Sequence, residues 1–455
     1  MTGGRRVIFD VSSIARWTGP AVGIARVENA LAAYAMAHRP DIVLSIYDPG
    51  TGSFRALEPE WAAQIIAWDA SLEILQFEYR RDRQRLRNRL PSRYSMFMAL
   101  ERQRLTRRFA WVRAAADVLQ RALMRAWRLP PPFADRSGRR LAIVPARLAL
   151  GERLALGPGD VLVTAGYDWY QMDTNAIEAA KRATGFRYVA MCYDIIPLMF
   201  PAFYRAPDVD TFRDHWRAMF GLADRIIVNS RRVAADITAY CAQTGTGAPD
   251  MRVVPLGYAP SHPAQEARVP AGLEPGRFVL FVSTIEPRKG HGMLIRVWRR
   301  LLAAGIPQRH RFKLVFVGRP GWMVDDVLHE IDEMRGSTAT LVHLADVSDG
   351  ALAAIYRACA FCAYPSRYEG FGLPIVEAFS CGKAVIASTG GAVPETVNGL
   401  SPCLDPTDED AWYGEIERWI EDPQARAPYE TRIRQSFTHP DWQHAAAQFF
   451  DAVGG

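Results

Sequence analysis

Short apolar runs closed by Gly, Pro or Asp recur along the chain, and stretches with helical spacing of their apolar residues separate them. In the first half the runs are RVIFDVSS, DVLVTAGY, RYVAMCYDIIP and ADRIIVNS; in the second they are RFVLFVSTI, FKLVFVGRP, ATLVHLADV, CAFCAYPS and KAVIASTGG. Nearly continuous apolar strands alternating with amphipathic helices predict a parallel sheet covered by helices on both faces. The pattern runs twice. The predicted fold class is therefore α/β with two facing doubly wound domains, and the cleft between them is the natural place for a ligand. The boundary is expected after VVPLGYAP, where Pro260, His262, Pro263, Pro270, Gly272, Pro275 and Gly276 crowd a stretch without periodicity. This gives a first domain over residues 1–258, a second over 259–435, and a last helix over 436–455 with Trp442, Phe449 and Phe450 on its packing face.

A length of 455 residues exceeds what one core usually supports, in keeping with two domains. One stretch breaks the alternation. From about residue 71 to about residue 130 the pattern predicts a long helical insertion rich in arginine. Residues 80–128 hold 15 arginines against three acidic residues, whereas the whole chain sets 55 basic against 49 acidic side chains, so the basic character is local. Phe77, Tyr79, Tyr94, Met96, Phe97, Met98, Phe109, Trp111 and Trp127 are interspersed with these charges. Such a segment suits an anionic membrane surface, and it equally suits a solvated insertion packed on its own domain. Clustered arginine also admits nucleic acid, which is not the expected partner.

The longest apolar runs, such as LAIVPARLAL, stop short of the ~20 residues that cross a bilayer, so no spanning helix is predicted. The opening MTGGRRVIFDVSSI passes from a basic pair straight into a strand pattern, which makes a cytoplasmic location the expectation, with peripheral contact at the inner face of the membrane through the basic stretch. Six cysteines form no disulfide framework in a chain of this length. Cys359 and Cys362 in RACAFCAYPS have neither a second pair nor a histidine at ligand spacing, and read as buried small residues. No metal site and no cofactor are expected.

Residues 366–377, SRYEGFGLPIVE, carry the chemistry. A strand pattern ends at CAYPS, and Pro374 suits the first position of a new helix. Gly370 and Gly372 let backbone approach a ligand, and the amides of a helix start offer a site for an anion. Glu369 falls in the loop and Glu377 in the first turn of that helix. Taken singly, Glu377 does no more than complement the helix dipole, and Glu369 is a solvated loop residue. Together, two hydroxyl-accepting carboxylates around a phosphate site outline a nucleotide sugar.

The block YPSRYEGFGLPIVEAFSCGKAVIASTGGAVPETV resembles the family 4 retaining glycosyltransferases of GT-B fold, whose signature is Glu, seven residues, Glu around a Gly-Phe-Gly loop. The resemblance extends through VVPLGYAP, FVSTIEPRKGH, FVGRPGW, VHLADVSDGALAAIYRACA and CLDPTDEDAW, and so covers nearly the whole second half. It implies a fold of two Rossmann-like domains, the first binding the acceptor and the second the nucleotide sugar, with the last helix crossing back to the first. It also implies that Glu369 meets hydroxyls of the donor sugar and Glu377 the ribose. Backbone of Gly370, Phe371, Gly372 and Leu373 would lie against sugar and phosphate, and Arg288 and Lys289 would face the diphosphate. Ser283, Thr284, Gly318, Arg319, His343 and Leu344 would complete the donor side. From the other wall, Gly23 and Ile24 in TGPAVGIARVENAL would open a helix onto the diphosphate; Arg26 there is as well read as a surface residue. Charge that develops as the nucleoside diphosphate leaves would be stabilised by the cations and the helix start without a metal.

The chain departs from the family at two places. Ser283-Thr284 stands where many relatives have Gly-Arg, which leaves more to Arg288 and Lys289. Tyr193-Asp194 stands where many have His-Asp, so Asp194 either orients the acceptor or caps its turn. His291 and His343 read as turn and strand-end residues. The resemblance implies transfer of a hexose, best mannose from GDP-mannose, to a saccharide or polyprenyl-linked acceptor in polysaccharide assembly. Alternatives are a nucleotide-sugar epimerase or phosphorylase of the same fold, and a non-catalytic nucleotide-sugar binder.

Overall fold

The computed structural model describes residues 6–17, 23–48, 51–67, 75–77, 142–144, 150–258 and 269–454. By compactness the chain forms two units, Met1–Met191 with Leu222–Arg225, and Cys192–Gly221 with Ile226–Gly455.

In the first unit the strands are β1 (Val7–Asp10), β2 (Ile42–Asp48), β3 (Ser53–Leu57), β4 (Leu75–Phe77), β5 (Ala142–Val144), β6 (Leu150–Arg153), β7 (Val161–Thr164) and β8 (Arg187–Cys192). β1 lies between β2 and β7 and runs parallel to both, and β8 continues parallel beyond β7. All four residues of β1 and of β7 are buried, as expected for strands covered on both faces. The far edge differs from the all-parallel expectation. β3 runs antiparallel to β2, and β6 antiparallel to β3. Only Pro49, Gly50, Thr51 and Gly52 join β2 to β3, too few residues for a parallel crossover and suited to a hairpin.

β4 pairs parallel with β5, so Leu75–Phe77 is a strand where the helical insertion was expected to have begun. The rest of that arginine-rich insertion, and the membrane contact assigned to it, lie outside the described residues. Among the described residues no helix is long and apolar enough to cross a membrane.

In the second unit β9 (Arg225–Val228) pairs parallel with β10 (Met251–Val253). A further sheet holds β11 (Phe278–Val282), β12 (Lys313–Val317), β13 (Leu341–Leu344), β14 (Phe361–Tyr364), β15 (Val385–Ser388) and β16 (Cys403–Leu404), in the order β13-β12-β11-β14-β15-β16. Every pairing in it is parallel. Phe278, Phe281, Phe316, Phe361, Trp298, Trp412 and Trp419 fill its core. The helix His291–Ala303 buries Met293, Leu294, Val297, Trp298 and Leu301, while Arg296 and Arg300 on its other side pair with Glu409 and Asp410. Its i, i+3, i+4 apolar spacing thus meets the sheet and its arginines meet the neighbouring helix. The last helix, Trp442–Gly454, buries Phe449 and Phe450 as expected, together with Ala445, Ala446 and Val453; Trp442 is only half-buried.

After β11 the chain moves outward through β12 and β13, then returns to the opposite side of β11 as β14. That reversal opens a crevice at the carboxyl ends of β11 and β14, the usual position of ligands in open α/β sheets.

Candidate active site

Two loops leave these adjacent strand ends. After β11 comes STIEPRKG, with Pro287–Lys289 forming a 3-10 turn; after β14 comes PSRYEGFG, leading into the helix Leu373–Ser380. Because β11 and β14 pair in parallel register, residues some eighty positions apart emerge side by side. The loops are joined through their backbones, the Arg367 amide donating to the Arg288 carbonyl at 2.7 Å. Gly290 makes this possible. It takes φ +86°, and a Cβ there would lie 2.6 Å from the Pro365 carbonyl oxygen.

The charged side chains converge on one carboxylate. Lys289 Nζ donates to Glu369 Oε1 at 2.6 Å, and Arg288 Nη1 donates to Glu369 Oε2 at 2.7 Å and to the Tyr368 carbonyl at 2.9 Å. The Tyr364 hydroxyl donates to Glu369 Oε1 at 3.0 Å, and Glu286 Oε2 lies 3.3 Å from Arg288 Nη2. Glu369 and Lys289 are both buried. Burial alone would push the Glu369 carboxyl up, but the charges of Arg288 and Lys289 outweigh it and hold the group at about 2. Burial works against the charge on Arg288, yet Glu369, Tyr204, Glu286 and Asp194 together keep it firmly protonated, well above the ordinary value. Glu286 stays above its ordinary value through burial, opposed by Lys289 and Arg288.

Asp194 belongs to this unit and lies beside the cluster. Its Oδ1 accepts the Ile196 amide at 3.0 Å, so it caps its turn, and a Cβ on Gly370 would come 2.9 Å from the Asp194 Cβ. Burial raises its carboxyl, with Arg288 pulling the other way.

The second carboxylate sits elsewhere in the helix than the sequence placed it. Leu373, not Pro374, opens the helix, and no acidic residue falls in the first turn. The Ile375 amide closes on the Gly372 carbonyl at 3.0 Å, which starts the turn one residue early and leaves Glu377 one turn in. There Glu377 Oε2 accepts the Tyr356 hydroxyl at 2.8 Å.

The other expected donor residues occupy the carboxyl ends of neighbouring strands. The Ser283 amide donates to the Val317 carbonyl and the Gly318 amide to the Leu344 carbonyl, and His343 Nε2 lies 2.8 Å from the Gly318 carbonyl oxygen. The Ser283 hydroxyl donates to the Thr284 carbonyl at 2.8 Å. Arg319 pairs with Asp346 at 2.6 Å in an exposed position. Phe371 packs near the His439 ring, centroids 5.9 Å apart, and its carbonyl accepts the Thr396 hydroxyl. Gly23 and Ile24 open the helix Gly23–His38 of the first unit. His291 is buried between Phe281 and Phe316, and burial lowers it to about 3. Cys359 and Cys362 lie buried with their sulfurs 3.8 Å apart.

Four supporting side chains were not picked out from the sequence. Ser230, the N-cap of the helix Arg231–Thr244, accepts the Val233 amide and donates to the Gly370 carbonyl at 2.9 Å. Arg232 Nε reaches Tyr368 Oη at 2.7 Å and Asp236 Oδ1 at 2.9 Å, while the Tyr368 hydroxyl donates to Asp236 Oδ2 at 2.7 Å. A cap residue just before RRVAAD is legible in the sequence, but its second bond, across 140 positions, is not.

Residues 264–436 match the family described as Glycosyl transferases group 1. The second unit carries a group 1 glycosyltransferase domain. The E. coli O-antigen chain mannosyltransferase B is 33% identical to the chain over 175 residues, which is 38% of this chain and 45% of that protein. A D-inositol 3-phosphate glycosyltransferase from Rhodococcus erythropolis is 33% identical over 189 residues, 40% of this chain and 42% of that one. The chain thus spans less than half the length of these curated relatives. Among solved structures, Anabaena HepE in complex with UDP and glucose aligns over 99% of this chain and 100% of its own, at 16% identity and a TM-score of 0.54. The fold of the chain is GT-B.

Proposed function

We propose that the chain is a retaining glycosyltransferase that moves a hexose, best mannose from GDP-mannose, onto a saccharide or polyprenyl-linked acceptor in cell-surface polysaccharide assembly. The observation that carries this reading is the convergence of Arg288 and Lys289 on Glu369, at the crevice between β11 and β14. The mannosyltransferase among the relatives favours mannose, and the inositol-phosphate glycosyltransferase keeps other hexoses in view.

In this reading Arg288 and Lys289 meet the donor's diphosphate. Both have donors to spare. An ammonium carries three N–H groups, and the buried Nε–H of Arg288 has no hydrogen-bond partner among the described residues. Fixed, already desolvated cations stabilise the charge that develops on the departing diphosphate without reorganising, and no metal is needed for that step. Glu369 holds the two cations in place and still has lone-pair capacity for a sugar hydroxyl. Glu377, one turn into the helix, accepts from the ribose. The leaving phosphate oxygen takes the acceptor's proton, so transfer proceeds on one face of the sugar. Work at a cytoplasmic location, peripheral to the inner membrane face, completes the proposal.

Incubation with GDP-mannose, UDP-glucose and related donors, with and without EDTA, tests it. The expected result is one donor turned over, a product with the donor's anomeric configuration by NMR, and a rate that the chelator leaves unchanged. Binding without product, or inversion, would overturn the assignment. Donor interconversion without acceptor would favour an epimerase, and phosphate-dependent chain cleavage a phosphorylase.

A further inference from the structure

We propose that Tyr364 and Tyr356 are positioning residues that orient the two carboxylates of the site, Tyr364 acting through Glu369 and Tyr356 through Glu377. The proposal rests on the donor-site reading above.

Tyr364 is the last residue of β14 and is 3% exposed. Its ring belongs to the core, edge-on to Phe281 with centroids 6.0 Å apart. A phenylalanine would serve that contact equally well, so the core has no need of the hydroxyl. That hydroxyl is spent on Glu369 Oε1, the oxygen that Lys289 also holds. Tyr356 lies on the helix Asp349–Ala358 just before β14 and is likewise 3% exposed. Its hydroxyl donates to Glu377 Oε2 at 2.8 Å and lies 3.3 Å from the Pro374 carbonyl. One phenol serves the loop carboxylate and the other the helix carboxylate.

The physical reason lies in stiffness. Lys289 reaches Glu369 on a flexible four-carbon stem, which supplies charge but little orientation. A buried tyrosine has only two rotatable bonds, both locked by packing, so its hydroxyl sets the plane of the carboxylate it meets. Burial also raises both phenols well above their ordinary value, which keeps them neutral and able only to donate to a carboxylate. A carboxylate turned out of plane would present the wrong lone pair to a hydroxyl while keeping its charge, and binding would weaken without loss of the fold.

The test is calorimetry on the full chain, using the tighter-binding of GDP-mannose and UDP-glucose as probe. Tyr364→Phe, Tyr356→Phe, Glu369→Gln and Glu377→Gln are each compared with the doubles Tyr364→Phe/Glu369→Gln and Tyr356→Phe/Glu377→Gln. Each Phe variant is expected to keep the wild-type binding stoichiometry while its dissociation constant rises about tenfold, the scale of one hydrogen bond to a charged group. Each loss should shrink to less than about twofold when the phenol's own carboxylate is already glutamine, because coupled residues are not additive. A merely structural defect would lower the stoichiometry and persist in the doubles. Wild-type affinity in both Phe variants, or losses that multiply in the doubles, would overturn the proposal. Wild-type affinity in both Gln variants, or no binding of either probe by the wild type, would instead remove the donor-site reading on which it rests.

Discussion

Lys289 Nζ sits 2.6 Å from Glu369 Oε1, eighty positions away in the chain, and both groups are buried. The pair exists because β11 and β14 are neighbours, and Glu369 is held besides by Arg288 and Tyr364. Removing the lysine therefore does two things. Lys289→Ala leaves Glu369 to Arg288 and Tyr364 alone and takes one cation from the proposed diphosphate site. Glycosyl transfer is expected to fall by roughly 100-fold or more, as for loss of a preorganised charge stabiliser. Stability is expected to fall by about 3 kcal/mol, the scale of breaking a buried pair by removing one partner. Initial rates and urea midpoints measure the two effects separately, and an active, fully stable variant would contradict both.

Glu369 also sets an acid limit on stability. Its carboxyl is held at about 2 in the folded chain, against an ordinary value near 4.5, so the folded state binds the proton less readily than the unfolded one. The stability this contributes is complete above about pH 4.5 and is lost as pH falls towards 2. At about 1.4 kcal/mol per unit, the loss is about 3 kcal/mol across that window. Asp194 and Glu286 are shifted upward and work in the opposite sense, so the clean readout is a difference. Urea midpoints of wild type and Glu369→Gln at pH 5 and pH 3 are expected to converge as the pH drops. Parallel curves would show that Glu369 is not held ionised by the cation pair.

The strands and the loop-to-helix segment that carries the two carboxylates were legible in the sequence because each depends on local pattern, although Glu377 falls one turn further into the helix than expected. Runs such as FVLFVSTI and CAFCAYPS became β11 and β14, and the Gly-Phe-Gly loop sits between a strand and a helix, as its glycines and Pro374 required. The hairpin of β2 and β3 was missed: neither strand was among the runs read from the sequence, and only the short turn after IVLSIYD betrays the reversal. Tyr364 was visible only as an apolar core position, since nothing in CAFCAYPS says that its hydroxyl meets Glu369. Arg232, Tyr368 and Asp236 were invisible for a different reason. Their network joins a helix to a loop more than 130 positions on, and no spacing in the sequence records which helix packs beside which loop.

Gly290 is expected to tolerate no side chain. It takes φ +86°, where an L-residue is strained by about 1–3 kcal/mol, and its Cβ would meet the Pro365 carbonyl, which is backbone and cannot step aside. In Gly290→Ala the clash pushes the loop after β14 away from the 3-10 turn, and with it Glu369 away from Lys289. Thermal melts should show the loss of stability, and binding of GDP and UDP should weaken at the same time. Gly276→Ala has a similar φ of +74° but nothing within 4 Å of its Cβ, so it should lower stability without touching nucleotide binding. Equal effects of the two substitutions on binding would mean that the contact with Pro365 does not position the site.

Ser230 offers a way to separate the scaffold from the loop it holds. Its oxygen accepts the Val233 amide at 3.2 Å as a helix cap, and its hydroxyl proton goes to the Gly370 carbonyl at 2.9 Å, one residue beyond Glu369. Ser230→Ala removes both bonds, whereas Ser230→Asp keeps an acceptor for the cap but has no proton for Gly370 and sets a charge against its carbonyl. Loss of an N-cap costs about 1 kcal/mol. The aspartate variant should therefore keep more of the helix's stability than the alanine variant, yet lose at least as much transfer activity, because the loop carbonyl is left without its donor. Denaturation midpoints and initial rates on the two variants decide the matter. If activity followed stability in both, Ser230 would matter only to its helix; if the two readouts part company, the bond to Gly370 places the Glu369 loop.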